Sequence, residues 1–354
     1  MLTIHNPHHH LHQGRHEMFR GRLVPCVETT QRLDHVLAEL QRRALGPLRT
    51  PEPEPADLDL TLARVHAPRY LGFIEHAWDD WLALDPANAA FDVLPSVWPA
   101  PGMRRDVLPE NFSARVGLFS FDAGTPLTAG SWTAARAGAA CALTAAREVS
   151  AGRVRSAFAL SRPPGHHAGA DFFGGYCFLN NAAVAAQALR DGGAARVAVL
   201  DVDYHHGNGT QAIFYERADV FTVSIHGDPR TEYPFYLGHA DERGAGAGTG
   251  FNLNLPQPRG TDFAAWRGAL HSALAAIAAF GADALVVSLG VDTFEGDPIS
   301  GFTLRSDDYF QVGAGIATAQ RPTVFVFEGG YAVAEVGINA VNVLEGFSRP
   351  SPPR

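Results

Sequence analysis

Five short apolar runs constrain this chain more than any other feature: SAFAL at 156 to 160, RVAVLDV at 196 to 202, VFTVSI at 220 to 225, ALVVSL at 284 to 289 and PTVFVF at 322 to 327. None alternates apolar with polar residues. A strand with one solvated face must alternate, so continuous runs of this length predict strands covered on both faces, as in a parallel sheet. Helical stretches lie between them. Ser131 is the expected N-cap of an Ala-rich helix over 132 to 149, Asn180 or Asn181 caps another running to Arg190, and a third covers 262 to 280. The alternation predicts a three-layer α/β/α fold with a mainly parallel sheet.

The segments just beyond the strands point to function. The clusters RPPGHHAG, DVDYHHGNG, SIHGD, GVDTFEGD and EGGY stand at the strands' C-terminal ends, the edge where open parallel sheets bind ligands. Five clusters rich in His, Asp, Gly and Tyr are therefore expected to converge on one crevice.

The chain has 354 residues, 46% of them hydrophobic and 18% charged, a composition that buries a sizeable core. One domain over 1 to 354 is expected. Residues 47 to 57 and 84 to 130 carry no clean period and read as loops, the second as an insertion. The formal charge of −9 excludes a phosphate backbone as natural partner and mildly favours cationic substrates. Cys26, Cys141 and Cys177 form no C-x-x-C pair, which fits neither a disulfide framework nor a thiolate zinc site and suits a reducing cytoplasm. No leader pattern and no window of bilayer length are read from the sequence, so neither export nor a membrane partner is expected.

Asp203 and His205 are two apart in an extended segment, so both side chains leave on one side and Tyr204 on the other. Asp292, after another strand, supplies a third ligand. Two carboxylates and one imidazole leave coordination positions open, as catalytic zinc requires, although iron(II) or cobalt(II) suits the same donors. The plainer alternative is a hydrogen-bonded Asp–His pair and a helix cap. His166 and His167, in a Gly-flanked turn, are candidates for general base and acid, with Asp201 and Asn208 as the partners that orient them. Tyr331 follows Gly329-Gly330 and is placed to donate to a developing oxyanion.

The segments RPPGHHA, DVDYHHGNGTQ, VSLGVDTFEGDP and EGGY resemble the signatures of the arginase-deacetylase fold, within the zinc-dependent histone deacetylase family. The resemblance runs from about Glu17 to Phe347. The stretches FFGGYCFLNNAAVAAQ, GNGTQAIFYERADVF and VDTFEGDPIS are most similar to the bacterial acetylpolyamine amidohydrolase branch. It implies zinc on Asp203, His205 and Asp292, a tandem pair of His166 with Asp201 and His167 with Asn208, and a carbonyl-polarising Tyr331. It further implies a structural potassium ion on Asp201, Ser224 and the backbone carbonyls of Asp203, His205 and Ile225. Tyr176 and Tyr233 match positions that line the substrate tunnel, with Gly175 beside Tyr176 and Ile299 at the rim. Glu17 is placed to meet a distant ammonium.

In this branch the segment 84 to 125 implies a homodimer and a narrowed mouth, to which Glu110 or Asp122 would contribute an acid. The expected reaction is hydrolysis of an acetamide on a small cationic amine by a water activated at the metal. The rivals are a protein acetyl-lysine deacetylase, a non-catalytic binding module and arginase-type ureohydrolysis. The run His8-His9-His10 matches no family motif and reads as a solvated loop.

Overall fold

A computed structural model describes residues 1–52 and 57–349. Its strands are β1 (Leu2–His5), β2 (His16–Phe19), β3 (Arg22–Pro25), β4 (Leu48–Arg49), β5 (Ser156–Leu160), β6 (Val197–Asp201), β7 (Val220–Gly227), β8 (Asn252–Gln257), β9 (Ala284–Leu289) and β10 (Thr323–Phe327). Its helices are α1 (Gln31–Arg43), α2 (Leu58–Val65), α3 (Pro68–Leu84), α4 (Phe112–Phe119), α5 (Ser131–Ser150), α6 (Asn181–Asp191), α7 (Asn208–Phe214), α8 (Phe263–Phe280), α9 (Asp308–Ala317) and α10 (Val333–Ser348).

Among the described residues, eight strands form one sheet in the order β4-β1-β5-β10-β9-β6-β7-β8, and every pairing in it is parallel. Strands β5, β6, β9 and β10 are buried along almost their whole length, which explains their continuous apolar composition. One face packs against α2, α3, α5 and α6 through residues such as Ile74, Leu143 and Val184. The other packs against α1, α8, α9 and α10 through Val36, Trp266, Val312 and Leu344. The predicted three-layer sheet is thus the fold, and its five expected strands are the centre of it.

The remaining strands escaped the sequence reading for physical reasons. Strand β4 has two residues and β1 four, too short to show a period, and β8 alternates buried with half-buried positions as an edge strand does. Ser131 does not cap its helix: it is the first helical residue, after Gly130. Its Oγ instead accepts a hydrogen bond from the Thr128 backbone N–H at 2.8 Å. Asn180 does cap α6, its side chain accepting from the Ala183 N–H.

The stretch 84 to 130 is not only loop, since it holds a 3-10 turn over Pro86–Ala90 and helix α4. Asp85 and Asn111 cap these two elements, and Phe112 stacks on Trp81 of α3 at 5.5 Å. Within the Pro- and Glu-rich stretch 47 to 57, residues 53–56 lie outside the described residues, and the described part includes β4.

Two further expectations are corrected. The triple histidine is solvated only in part: His8 and His10 are exposed, but His9–Leu11 forms a 3-10 turn with His9 buried. Among the described residues one helix, α8, is long and apolar enough to cross a membrane by length and composition. Its buried residues Trp266, Leu270, Ala273, Leu274 and Ile277 recur at helical spacing on one face, and that face covers the sheet.

Candidate metal centre and active site

The centre is assembled where β6, β9 and β10 end side by side. Asp201 is in register with Ser288 on one side and with Ser224 on the other, so the residues just beyond these strands are brought together. Ligand atoms of Asp203, His205 and Asp292 all lie within 4.8 Å of one another, and all three residues are buried. His205 Nδ1 stands 3.0 Å from Asp292 Oδ2 and 3.5 Å from Asp203 Oδ1.

Backbone groups hold the carboxylates in place. The N–H groups of His205 and Gly329 donate to Asp203 at 2.9 and 2.8 Å, and that of Tyr204 donates to Asp292 at 2.8 Å. The close approach needs glycine. A Cβ on Gly329 would fall 2.5 Å from Asp203 Oδ2 and 2.7 Å from Asp292 Oδ2, and one on Gly290 would fall 2.1 Å from Asp203 Oδ2.

Two buried carboxylates this close repel. Burial, together with the Asp203 charge, pushes Asp292 up to about 8, whereas His205 is raised to about 10 because Asp203 and Asp292 outweigh the burial that opposes its charge. Such a cluster demands positive charge, and its donor set of two oxygens and one imidazole nitrogen is that of an open divalent site. The residues present therefore fit a zinc ion.

The tandem histidines sit beside it with ring centroids 4.0 Å apart. His166 Nδ1 donates to Asp201 Oδ2 at 2.9 Å, and His167 Nδ1 donates to Asn208 Oδ1 at 2.6 Å. One partner is charged and the other neutral, and this separates the pair. Burial opposes the charge of His166, but Asp203 and Asp201 raise it well above the ordinary imidazole value. Burial, His166 and His205 lower His167 well below it. The pair is thus split, with the surroundings favouring the charged form of His166 and the neutral form of His167.

A cavity of about 470 Å³ opens above them, with His167, His205 and Tyr331 at its depth and Glu17, Asp122, Gly175, Tyr176, Tyr233 and Ile299 among its walls. Gly175 is required there because its φ is +55° and a Cβ would meet the His167 ring at 2.2 Å. Asp122 Oδ2 accepts from the Gly175 N–H and from the Tyr233 hydroxyl, both at 2.7 Å. The Tyr176 hydroxyl donates to Glu17 Oε1 at 3.0 Å, and Glu17 is buried on the hairpin of β2 and β3. Burial pushes its carboxyl up to about 7. Of the two acids named for the mouth, Asp122 lines the cavity, while Glu110 is exposed and absent from its walls.

Ser224 and Asp201 are cross-strand partners, with Ile225 buried next in β7. The Ser224 hydroxyl is 2.8 Å from His226 Nδ1.

Sequence reasoning missed a layer behind the site. Asp297 Oδ2 accepts from the Tyr331 N–H at 2.7 Å. Glu328 Oε2 accepts from the backbone N–H groups of Gly165 and His166 at 2.6 and 3.1 Å. Arg32 donates to the carbonyls of Gly330 and Glu328 and to Glu28, which also pairs with Arg162. Asp297 and Glu328 stood inside quoted motifs, whereas Arg32 lies almost three hundred positions away on α1 and left no local signal.

An eight-stranded parallel sheet between helical layers, with its crevice at the C-terminal edge, defines the arginase-deacetylase class of α/β proteins. Residues 26–347 match the histone deacetylase domain family, and the chain belongs to that family. It is 54% identical over 348 residues to acetylpolyamine amidohydrolase 2 of Pseudomonas aeruginosa, covering 98% of each chain. With acetylpolyamine amidohydrolase 1 of the same organism it shares 51% identity over 351 residues, 98% of this chain and 99% of that one. The crystal structure of acetylpolyamine aminohydrolase from Burkholderia pseudomallei superimposes with a TM-score of 0.92 at 40% identity, covering 98% of each chain.

Proposed function

We propose that this chain is a zinc-dependent hydrolase that removes acetyl groups from small cationic acetylated amines of the polyamine class. The observation that carries the reading is the cavity itself: His167, His205 and the Tyr331 phenol at its depth, and two carboxylates, Glu17 and Asp122, in its walls. An acetamide fits the depth, and a chain bearing ammonium groups fits the acidic walls. Near-full-length identity to two acetylpolyamine amidohydrolases supports the same substrate class.

Zinc held by Asp203, His205 and Asp292 would supply Lewis acidity to the carbonyl and lower the pKa of water; iron(II) or cobalt(II) would suit the same donors. The protein's own groups do the rest. His167, neutral and tied through Nδ1 to Asn208, takes the proton of the attacking water on Nε2. Tyr331 keeps its hydroxyl proton, since burial raises its pKa well above the ordinary phenol value, and donates it as a hydrogen bond to the carbonyl oxygen as charge develops there. The His166–His167 pair, with Asp203 and Asp201 favouring a proton on His166, returns a proton to the departing amine.

The cross-strand pair Asp201 and Ser224, with the carbonyls of Asp203, His205 and Ile225, is proposed to hold potassium. A homodimer is proposed as the assembly, supported by the exposed apolar side chains Phe91, Met103 and Val107 in the 84 to 130 segment.

The test is kcat/KM of the zinc-loaded protein on N-acetylputrescine, N-acetylspermidine and a short acetyl-lysine peptide. Faster cleavage of the small amines is expected. A peptide cleaved fastest would make this a protein deacetylase, and no cleavage of any of the three would leave the binding-module reading.

A further inference from the structure

The triple histidine that resembled no family motif builds a second convergence of metal-ligating groups, remote in the chain from the active-site clusters. His9 and His10, adjacent in the 3-10 turn His9–Leu11, both turn toward Asp34 in the first turn of α1. His9 Nε2 is 3.5 Å and His10 Nε2 3.2 Å from the same atom, Asp34 Oδ1. The two rings are tilted by 41° with centroids 3.8 Å apart, and ligand atoms of all three residues lie within 4.8 Å of one another.

These spacings have a physical meaning. Two ligand atoms each about 2.1 Å from a tetrahedral ion are separated by roughly 3.4 Å, and the two imidazole-to-carboxylate separations fall on either side of that value. The buried member is also underserved. His9 Nε2, the nitrogen that faces Asp34, stands 3.5 Å from it, too far for a good hydrogen bond, and among the described residues Nδ1 on the other side of the ring has no hydrogen-bond partner. A cation on Nε2 would supply the partner that this side of the ring lacks. Burial, His10 and the nearby Arg162 all disfavour the charged form of His9. His10 and Asp34, 55% and 43% exposed at their side chains, open the cluster to solvent on one side.

We propose that His9, His10 and Asp34 form a second binding site for a late first-row divalent cation such as zinc or nickel, with water completing the coordination. The ion clamps the N-terminal turn to α1. That helix carries Arg32, two residues before Asp34, and Arg162 donates to the carbonyl of His9. The site is built on elements that support the active centre without belonging to it.

Equilibrium dialysis of the purified protein against zinc alone, with bound metal counted by elemental analysis, tests this. The wild-type chain is expected to bind one ion more than His10→Ala and one more than Asp34→Ala. Far-UV circular dichroism identifies any variant that has lost the fold, and His10→Ala, altering a mostly exposed ring, provides a reading even if Asp34→Ala unfolds. Because the readout is a difference between chains with the same catalytic centre, it holds whether or not that centre loads zinc. An equal count in wild type and folded variants would reduce the cluster to a His–Asp contact without a metal and overturn the proposal.

Discussion

The guanidinium carbon of Arg32 lies 4.6 Å from the centroid of the Tyr331 ring, while Arg32 Nε donates to the carbonyl of Gly330 at 2.6 Å. One buried arginine on α1 therefore fixes both the ring and the backbone that present the phenol to the cavity. Its charge is answered by Glu28 at 2.8 Å. Removing one partner of a buried, hydrogen-bonded ion pair leaves an uncompensated group. Arg32→Met is expected to cost about 3 kcal/mol of stability, measured by chemical denaturation, and to lower turnover of the protein that remains folded. Unchanged stability would mean that Arg162 alone satisfies Glu28.

Tyr331→Phe deletes one hydroxyl from a buried residue and leaves the ring on Arg32 intact. Turnover on N-acetylputrescine should fall about 10²- to 10³-fold, the usual cost of one oxyanion donor. Bound zinc and melting temperature should not move. Steady-state kinetics beside metal analysis separates the two, and preserved kcat would remove the phenol from the reaction.

Glu17 makes substrate affinity depend on pH. Its folded value of about 7 exceeds the ordinary 4.5 because burial penalises the charge. The folded protein therefore binds a proton that the unfolded chain has lost, and this carboxyl's contribution to stability declines as pH rises from 4.5 through 7. Binding of an ammonium runs the other way, since it needs the ionised form. KM for N-acetylputrescine is expected to fall as pH rises through about 7, KM for an uncharged acetamide to show no such limb, and Glu17→Gln to flatten the difference. An identical pH profile in the variant would place the ammonium elsewhere.

Gly329→Ala places a methyl group against both metal-facing carboxylates, 2.5 and 2.7 Å from their oxygens. Displacing supports of a metal site costs about 10- to 100-fold in affinity. Zinc titration by competition with a chromogenic chelator should show a loss of this size, with catalysis restored in part by excess zinc.

Much of this was legible along the chain because it depends on local pattern. Continuous apolar runs identified the five central strands, and the polar clusters beyond them placed Asp203, His205, Asp292, the His166–His167 pair and Tyr331 at one sheet edge. Spacing within DVDYHH carried its own geometry, since residues two apart in extended chain share a side.

The tertiary structure decided what no window of sequence holds. Short β1 and β4 exist because β5 offers β1 a parallel partner and β1 in turn offers one to β4, not because their residues show a period. Arg32 reaches Tyr331, Asp122 reaches Gly175, and the histidines of the N-terminal turn meet Asp34, each across a separation that chain order cannot encode. The difference between His166 and His167 is of the same kind. Adjacent and chemically identical, they are set apart by whether Asp201 or Asn208 stands behind the ring, and only folding puts those partners there.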